Sequence, residues 1–403
     1  MASMPLNSPD SVWSKDHPGL QVVWDATSLA TFNACPTKYK LSQLDGWSPK
    51  QSSVDLHFGS IFGDGMETFY KLICEEGKSH AEAQRAAILR VHELSYDPPE
   101  AIQRFGTWEK VWSCTGTAAF RNENGNRAKC PYSHAGKLFP GEGPEVCGKC
   151  GSATETQEVY MPVHPVKDRR ALLRLIFQYT EEQRDATLQI MSLEVKDKEG
   201  RDRHMALAEV PWVIPIMILD GVTFSISGWF DTMKRYAGTD HVYITDLKTS
   251  KNALNAHYFS QYKPNTQVSM YAFVGARYMK GLNVQGVAIE AFQITPEGVR
   301  SGMRIFDFTP AEHQEFEAEL IESLSRVRQY HASGFWPKNR TACFLCQFKG
   351  VCSLPPESRI PALQAGFERS RWNPLLRQRE TLPPLANATV LPFKREEKPT
   401  NVK

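Results

Sequence analysis

The chain has 403 residues and a nearly balanced charge, with 47 Lys and Arg against 45 Asp and Glu and a net charge of +2. Hydrophobic residues make up 41% and charged residues 23%, which excludes a wholly disordered, collagenous or membrane-embedded chain. No apolar run approaches the roughly 18 residues of a spanning helix, and no signal peptide pattern opens the sequence. We therefore expect a cytoplasmic protein of two or three structural units with no membrane partner.

Helical patterns dominate the first part of the chain. Residues 26–45 carry apolar side chains on both sides of Cys35 and Pro36, which predicts a short helix, a break and a second turn. Between residues 56 and 76 apolar side chains recur at three- and four-residue steps, which predicts one long helix. We expect 1–25 to be an N-terminal extension and 26–122 to be a helical region.

The middle of the chain has a different amino-acid composition. Residues 123–152 are rich in Gly, Pro and Cys and poor in aliphatic residues, which predicts a small metal-stabilised insertion. Strand patterns then alternate with a helix at 265–280, and a capping box at Thr309 opens a helix that ends near residue 332. The strands are predicted at 187–195, 205–219, 221–236, 241–249, 284–294 and 302–308. The fold class is therefore α/β, with a mixed central sheet flanked by helices.

The last part of the chain divides into two short segments beyond a core at 153–335. Residues 336–356 contain a compact cysteine triplet. Residues 357–403 are basic and rich in proline, so we expect a largely unstructured tail.

Two acids and a lysine lie on predicted neighbouring strands. Asp246 and Lys248 are two residues apart, so their side chains leave the same face, and a hairpin would bring Asp231 beside Asp246. A divalent cation usually compensates buried carboxylates, and with a lysine it suits phosphodiester hydrolysis. A D-x-K triplet is also common by chance, and the alternative is a surface hairpin whose charges face solvent.

Two helices add polar side chains to this set. Glu67 follows Gly59 and Gly63 at four-residue steps on the long helix. One face of this helix therefore has no side chain at two successive turns and a carboxylate at the third. Gln267 and Tyr271 lie four residues apart on the helix after the D-x-K strand. There an amide and a phenol are able to bind phosphates or bases.

In this order the motifs resemble those of the PD-(D/E)XK nuclease superfamily, most closely its RecB-type exonuclease branch, which includes CRISPR-adaptation nucleases and many phage exonucleases. The matching segments are FGSIFGDGMETFY, AEVPWV, SGWFD, ITDLKTS and QVSMY. The resemblance implies a restriction-endonuclease-like fold and a Mg²⁺- or Mn²⁺-dependent DNA nuclease. It implies metal binding by Asp231, Asp246 and the Leu247 carbonyl, catalysis by Lys248 with Asp231, Asp246 and Glu67, and substrate binding by Gln267 and Tyr271.

One position departs from the family pattern. The family's first helix usually carries a metal-binding histidine where this chain has Gly63, and His57 is at least one turn out of place. The function that the resemblance implies is a single-strand-specific exonuclease in DNA recombination, repair or phage replication, in a bacterial or phage-infected cell. Two alternatives remain: a DNA-end-binding protein that does not cut, and a nuclease subunit active only with a helicase, recombinase or integrase partner.

Nine cysteines in a chain expected in a reducing compartment predict metal ligands rather than disulfides. Cys343, Cys346 and Cys352 form a C-x2-C-x5-C triplet, and with Cys35 they offer four thiolates for an iron-sulfur cluster or zinc. The resemblance favours a 4Fe-4S cluster, because the RecB-type branch holds one with one cysteine before the core and three after it.

A second ligand set lies in the insertion. Cys130 and His134 form a C-x3-H pair and Cys147 and Cys150 a C-x2-C pair, which predicts a structural zinc. Cys114 is an alternate for His134, and surface thiols without metal are the alternative to a site. Cys74 falls in the apolar pattern of the long helix and is predicted to be a packed core residue.

Overall fold

The computed structural model describes residues 12–50, 54–96, 105–116, 120–121, 124, 127–133, 138–162, 164–196, 200–375 and 389–391. Its helices are α1 (Ala26–Ala34), α2 (Pro36–Tyr39), α3 (Val54–Cys74), α4 (His80–Leu94), α5 (Arg169–Glu182), α6 (Ala256–Ser260), α7 (Thr266–Tyr278), α8 (Pro310–Ser333), α9 (Lys349–Ser353) and α10 (Arg359–Gly366). A π-helical turn, Lys40–Leu44, follows α2. None of the helices in the described ranges is long and apolar enough to cross a membrane.

The strands fall into one large sheet and several small ones. They are β1 (Val23–Trp24), β2 (Trp47–Pro49), β3 (Gly106–Cys114), β4 (Phe120–Arg121), β5 (Arg127–Ala128), β6 (Phe139–Pro140), β7 (Thr154–Pro162), β8 (Leu188–Ile190), β9 (Ser192–Lys196), β10 (Asp202–Ala206), β11 (Ala208–Leu219), β12 (Val222–Tyr236), β13 (His241–Ser250), β14 (Asn283–Thr295), β15 (Gly298–Asp307), β16 (Phe367–Arg369) and β17 (Thr389–Leu391).

A seven-stranded mixed sheet forms the centre of the fold. Its order is β1-β12-β13-β14-β15, and β8 and β11 also pair with β12. β13 and β14 run parallel, whereas β12 and β13, and β14 and β15, run antiparallel. A parallel step needs a crossover connection, which α6 and α7 provide. The mixed central sheet with flanking helices predicted from the sequence is confirmed.

Helices cover both faces of this sheet because its central strands are apolar on both sides. Ile244 on β13 belongs to the hydrophobic cluster that contains α1, α7 and α8. Leu247, three residues further along the same strand, belongs to the cluster that contains α3, α4 and α5. Successive side chains of a strand alternate between faces, so Asp246 lies on the α7 side with Ile244.

The segment before the insertion differs from its prediction. The helical region was expected to reach residue 122, but Gly106–Cys114 is a strand that pairs antiparallel with Thr154–Pro162 along its whole length. Its aromatic and β-branched residues, such as Trp108, Val111 and Trp112, favour a strand over a helix. The insertion is therefore built around a three-stranded sheet of β6, β3 and β7.

The chain beyond the cysteine triplet also has more structure than expected. The tail was predicted to be unstructured from residue 357, but α10 and β16 follow, and β16 pairs antiparallel with β2. The guanidinium of Arg369 lies 3.8 Å from the ring centre of Trp47. Trp372 donates from Nε1 to Oδ2 of Asp25 at 3.0 Å. A cation-π contact and a hydrogen bond thus connect this segment to β2 and to the N-cap residue of α1. Residues 376–388 and 392–403 lie outside the described residues.

Candidate functional site

Asp246 and Lys248 form an ion pair on one face of β13. The ammonium of Lys248 lies 2.7 Å from Oδ2 of Asp246 and 3.0 Å from Oδ1. Asp246 is 1% exposed, whereas the side chain of Lys248 is 29% exposed. Burial alone would lower the pKa of Lys248, but the carboxylates of Asp246 and Asp231 outweigh it and raise that pKa above its usual value. The lysine is held as a cation beside two acids.

Asp231 reaches this pair from the neighbouring strand. The antiparallel register of β12 and β13 pairs Thr232 with Thr245, which places Asp231 next to Asp246. Oδ2 of Asp231 accepts the backbone N–H of Leu247 at 2.8 Å. The hairpin therefore brings both predicted acids and the predicted lysine together.

Gln267 on α7 connects the charged residues. Its Nε2 donates to Oδ1 of Asp246 at 3.2 Å and to the hydroxyl of Tyr271 at 3.0 Å. Its Oε1 accepts from Lys248 at 3.3 Å. Tyr271 is only 6% exposed, and burial, followed by the charges of Asp246 and Asp231, raises its pKa well above the usual value. This geometry favours a positioning role for Tyr271 over the predicted substrate contact.

The predicted first-helix residue lies on α3. Glu67 is buried, and its Oε1 lies 2.7 Å from the ammonium of Lys71, one turn further along the helix. Gly63 lies one turn before Glu67. A Cβ atom on Gly63 would lie 3.7 Å from Oε1 of Glu209. The surface of α3 that lacks a side chain at Gly63 therefore faces another carboxylate.

Glu209 is the residue that sequence analysis missed. On β11, Ala208 pairs with Thr232 and Val210 pairs with Phe230, so Glu209 lies opposite Asp231. Its backbone φ is +50°, a conformation that non-glycine residues rarely adopt. The segment AEVPWV contains Glu209, but the sequence could not reveal its neighbour because that depends on the pairing of β11 with β12.

The cysteines of the insertion form a compact cluster. The sulfurs of Cys114, Cys130, Cys147 and Cys150 all lie within 4.8 Å of one another. Burial raises the pKa of Cys114 to about 12, whereas hydrogen bonds with Ser152 lower the pKa of Cys150 to about 6. Cys114, the alternate ligand, thus completes the set, and His134 lies outside the described residues.

The second cysteine set joins the two ends of the core. The backbone N–H of Asn339 donates to Sγ of Cys35 at 3.4 Å, and the thiol of Cys343 donates to the Asn339 carbonyl at 3.6 Å. Burial raises the pKa of Cys352, and Cys346 and Cys35 raise it further through their charges. The four predicted ligands therefore converge. Within the described ranges, however, they lack the mutual 4.8 Å spacing of the insertion cluster.

Comparison with known proteins decides the family. The model of the PD-(D/E)XK nuclease superfamily matches residues 24–132 and 150–353. The chain belongs to this superfamily. Among curated proteins no sequence matches the chain.

Two crystal structures resemble parts of this nuclease-superfamily chain. One is SSO0001, with 16% identity and a TM-score of 0.21, over 36% of this chain and 59% of that one. The other is a protein from Eubacterium rectale named "Putative exonuclease", with 12% identity and a TM-score of 0.37, over 88% of this chain and 95% of that one. The chain thus spans less than two thirds of SSO0001.

The matching family model is that of a nuclease superfamily. The residues present would fit a divalent cation, because Asp231 and Asp246 offer carboxylate oxygens from adjacent strands and hard cations prefer oxygen ligands. The insertion fits a different metal. Its sulfur separations of 3.5 Å between Cys114 and Cys150 and 3.8 Å between Cys130 and Cys147 suit four thiolates around one ion at about 2.3 Å.

Proposed function

We propose that this protein is a metal-dependent deoxyribonuclease that degrades single-stranded DNA from its ends, in DNA recombination, repair or phage replication. One observation carries the proposal: Asp246 and Lys248 form an ion pair on β13, and Asp231 on the paired strand β12 accepts the backbone N–H of the residue between them. A surface hairpin with solvated charges, the alternative, does not fit an aspartate that is 1% exposed.

In this proposal Asp231, Asp246 and the Leu247 carbonyl hold Mg²⁺ or Mn²⁺, which when bound polarises a phosphoryl oxygen and lowers the pKa of a water. Lys248 is held 2.7 Å from Asp246, where its ammonium would neutralise the charge that develops on the phosphate. Glu67, on α3, would assist. The buried position of Asp246 excludes competing water from one side of the site.

Gln267 and Tyr271 would have different roles, one toward the substrate and one toward Gln267 itself. Gln267 contacts both Asp246 and Lys248 and has the polar groups to reach a phosphate at the same place. Tyr271 accepts a hydrogen bond from Gln267 and packs its ring edge to face against Phe230, with centroids 5.3 Å apart. Tyr271 would therefore orient Gln267 rather than contact DNA.

Glu209 would replace the histidine that relatives carry at the position of Gly63. A Cβ atom on Gly63 would lie 3.7 Å from Oε1 of Glu209, and Glu209 lies opposite Asp231. The oxygens of Glu209, Asp231 and Asp246 are not all within 4.8 Å of one another. Glu209 would thus reach a metal held by the two aspartates through a side-chain rotation or a bridging water.

The two cysteine sets would hold different structural cofactors. Cys35, Cys343, Cys346 and Cys352 would hold a 4Fe-4S cluster, since four irons space their thiolates more widely than one zinc does. Thr37 already links these chain ends through hydrogen bonds to the carbonyls of Trp336 and Pro337, at 2.7 and 3.1 Å. The insertion cluster of Cys114, Cys130, Cys147 and Cys150 would hold zinc.

The test is digestion of single-stranded DNA, labelled at either end, by anaerobically purified protein with Mn²⁺. The proposal expects stepwise shortening by the wild type and none by Asp246→Ala. Binding without cleavage in both proteins would favour the DNA-end-binding alternative. Cleavage that appears only after a helicase, recombinase or integrase is added would favour the subunit alternative.

A separate measurement tests the cluster. Anaerobic protein should be brown and contain about four irons per chain, and Cys343→Ser should lose this colour while Cys74→Ser keeps it. Cys74 is a suitable control because it lies on α3, and burial raises its pKa to about 12. A colourless, iron-free protein with two zinc ions would contradict the cluster.

A further inference from the structure

A buried lysine lies directly beyond the candidate active site. The ammonium of Lys167 donates to the carbonyl oxygen of Thr249 at 3.3 Å and to its hydroxyl at 3.2 Å. Thr249 follows Lys248 on β13. The side chain of Lys167 is only 5% exposed, and its ammonium lies 5.7 Å from the ring centre of Phe58. The position of this charge is therefore fixed by its surroundings.

The ionic partner of Lys167 is an exposed carboxylate. Oδ1 of Asp55, in the first turn of α3, lies 2.6 Å from the ammonium, and the Asp55 side chain is 60% exposed. The hydrogen bond with Lys167 lowers the pKa of Asp55 most, and the charges of His164 and Lys251 lower it further. Lys167 thus contacts a carboxylate that is open to solvent. His164 accepts the backbone N–H of Lys167 at 2.9 Å, and Lys251 lies two residues after Thr249.

This arrangement has the chemistry of an anion subsite. Ammonium groups bind phosphate oxygens as they bind carboxylate oxygens. A phosphate that takes the place of the Asp55 carboxylate would keep the buried ammonium of Lys167 paired with an anion. The beginning of a helix also favours negative charge. Because Thr249 follows Lys248 on β13, an anion bound there would lie at the next residue of the strand after the candidate catalytic lysine.

We propose that Lys167, Lys251 and His164 form a binding subsite for one backbone phosphate of a single-stranded nucleic acid. The Asp55 carboxylate occupies this subsite when no nucleic acid is bound and competes with the phosphate. The inference rests on the proposed nuclease function, because it places the subsite along the path of the substrate strand. Asp55 then sets how tightly the strand is held without taking part in cleavage.

The test is binding of a fluorescent single-stranded DNA oligonucleotide in EDTA, measured by anisotropy across a salt series, so that cleavage does not interfere. Asp55→Asn should bind about 3- to 10-fold more tightly than wild type, because a competing anion is lost. Lys251→Gln should bind more weakly and reduce the slope of log K against log salt by about 1.

Matched controls separate this subsite from bulk charge. Glu76→Gln and Lys78→Gln make the same charge changes just beyond the other end of α3, about 30 Å away at 1.5 Å per residue. Both controls should bind nearly as wild type does. Melting temperatures of all four variants show whether the fold is intact, and Lys251 is exposed, so its substitution leaves the core unchanged.

The outcomes distinguish the subsite from the proposed function. One result would overturn the subsite alone. In it the wild-type protein binds and cleaves DNA, Asp55→Asn binds DNA no more tightly than Glu76→Gln, and Lys251→Gln binds DNA no more weakly than Lys78→Gln. Such a result would mean that Lys167 and Asp55 only fasten α3 to β13. Wild-type protein that neither binds nor cleaves single-stranded DNA overturns both the subsite and the nuclease proposal.

Discussion

Leu247 donates its backbone N–H to Oδ2 of Asp231 at 2.8 Å, although the two residues are 16 positions apart in the chain. The bond connects the acid on β12 to the middle residue of the D-x-K triplet on β13. Because Asp246 and Lys248 flank Leu247, any shift of one strand against the other would separate Asp231 from both of them. The geometry of the site therefore depends on the pairing of β12 with β13.

We expect Asp246→Ala and Lys248→Ala each to reduce cleavage by at least about 10²- to 10³-fold, because each removes charge at the reacting phosphate. End-labelled single-stranded DNA with Mn²⁺ provides the assay, and circular dichroism provides the check that both variants fold. Asp240→Ala is the matched control, since Asp240 is the last residue of the turn before β13 and its side chain is 80% exposed. Full cleavage by both site variants would show that the site is wrongly assigned.

Glu209→Gln should weaken Mn²⁺ binding by roughly tenfold, within the range typical for groups that support metal ligands. Manganese electron paramagnetic resonance measures this affinity independently of cleavage. Asp220→Asn is the control. Asp220 also has a positive φ, of 51°, but it follows the last residue of β11, at the opposite end of that strand from Glu209. Adding Gly63→His to Glu209→Gln should restore part of the affinity. Unchanged Mn²⁺ affinity in Glu209→Gln would exclude a role at the metal.

Two glycines of α3 should respond oppositely to alanine. A Cβ at Gly63 meets only the Glu209 carboxylate, at an ordinary contact distance of 3.7 Å, so Gly63→Ala should stabilise the protein by up to about 1 kcal/mol. A Cβ at Gly65 would clash with Cγ2 of Val91, so Gly65→Ala should destabilise the protein by about 1–3 kcal/mol. Urea unfolding measures both. Equal effects would show that α3 packs differently.

The parts of the site that the sequence could predict depend on short-range geometry. Asp246 and Lys248 share a face because strand side chains alternate, whatever the rest of the fold does. Glu209 could not be found in this way, since its nearness to Asp231 depends on the register between β11 and β12. The prediction of an unstructured tail was wrong for a similar reason. The partner of Trp372 is Asp25, and the two residues lie near opposite ends of the chain.

Loss of one partner of a buried ion pair on the other side of the sheet should strongly destabilise the protein. Lys234 is fully buried and lies 2.7 and 2.9 Å from the two carboxylate oxygens of Glu290. Its ammonium also lies 5.8 Å from the ring centre of Tyr70 and 5.5 Å from that of Tyr179. Lys234→Met should cost about 3–5 kcal/mol, because it leaves the Glu290 carboxylate buried without its cation.

The double variant tests that explanation. Lys234→Met combined with Glu290→Leu should recover most of the lost stability, since apolar pairs of similar volume often replace buried ion pairs. Thermal or urea unfolding of Lys234→Met, Glu290→Leu and the double variant gives the coupling free energy between the two side chains. Additive losses in the double variant would show that the two side chains stabilise the fold separately.

The zinc of the insertion should depend on Cys114 and not on His134. All four sulfurs of the Cys114 set lie within 4.8 Å, and zinc thiolate sites need no further ligand. Cys114→Ser should therefore lose zinc, measured by mass spectrometry of the metal, whereas His134→Ala and the control Cys74→Ser should retain it. Zinc should also dissociate at low pH, because acid protonates the thiolates that bind it. Loss of zinc in His134→Ala but not in Cys114→Ser would contradict this ligand set.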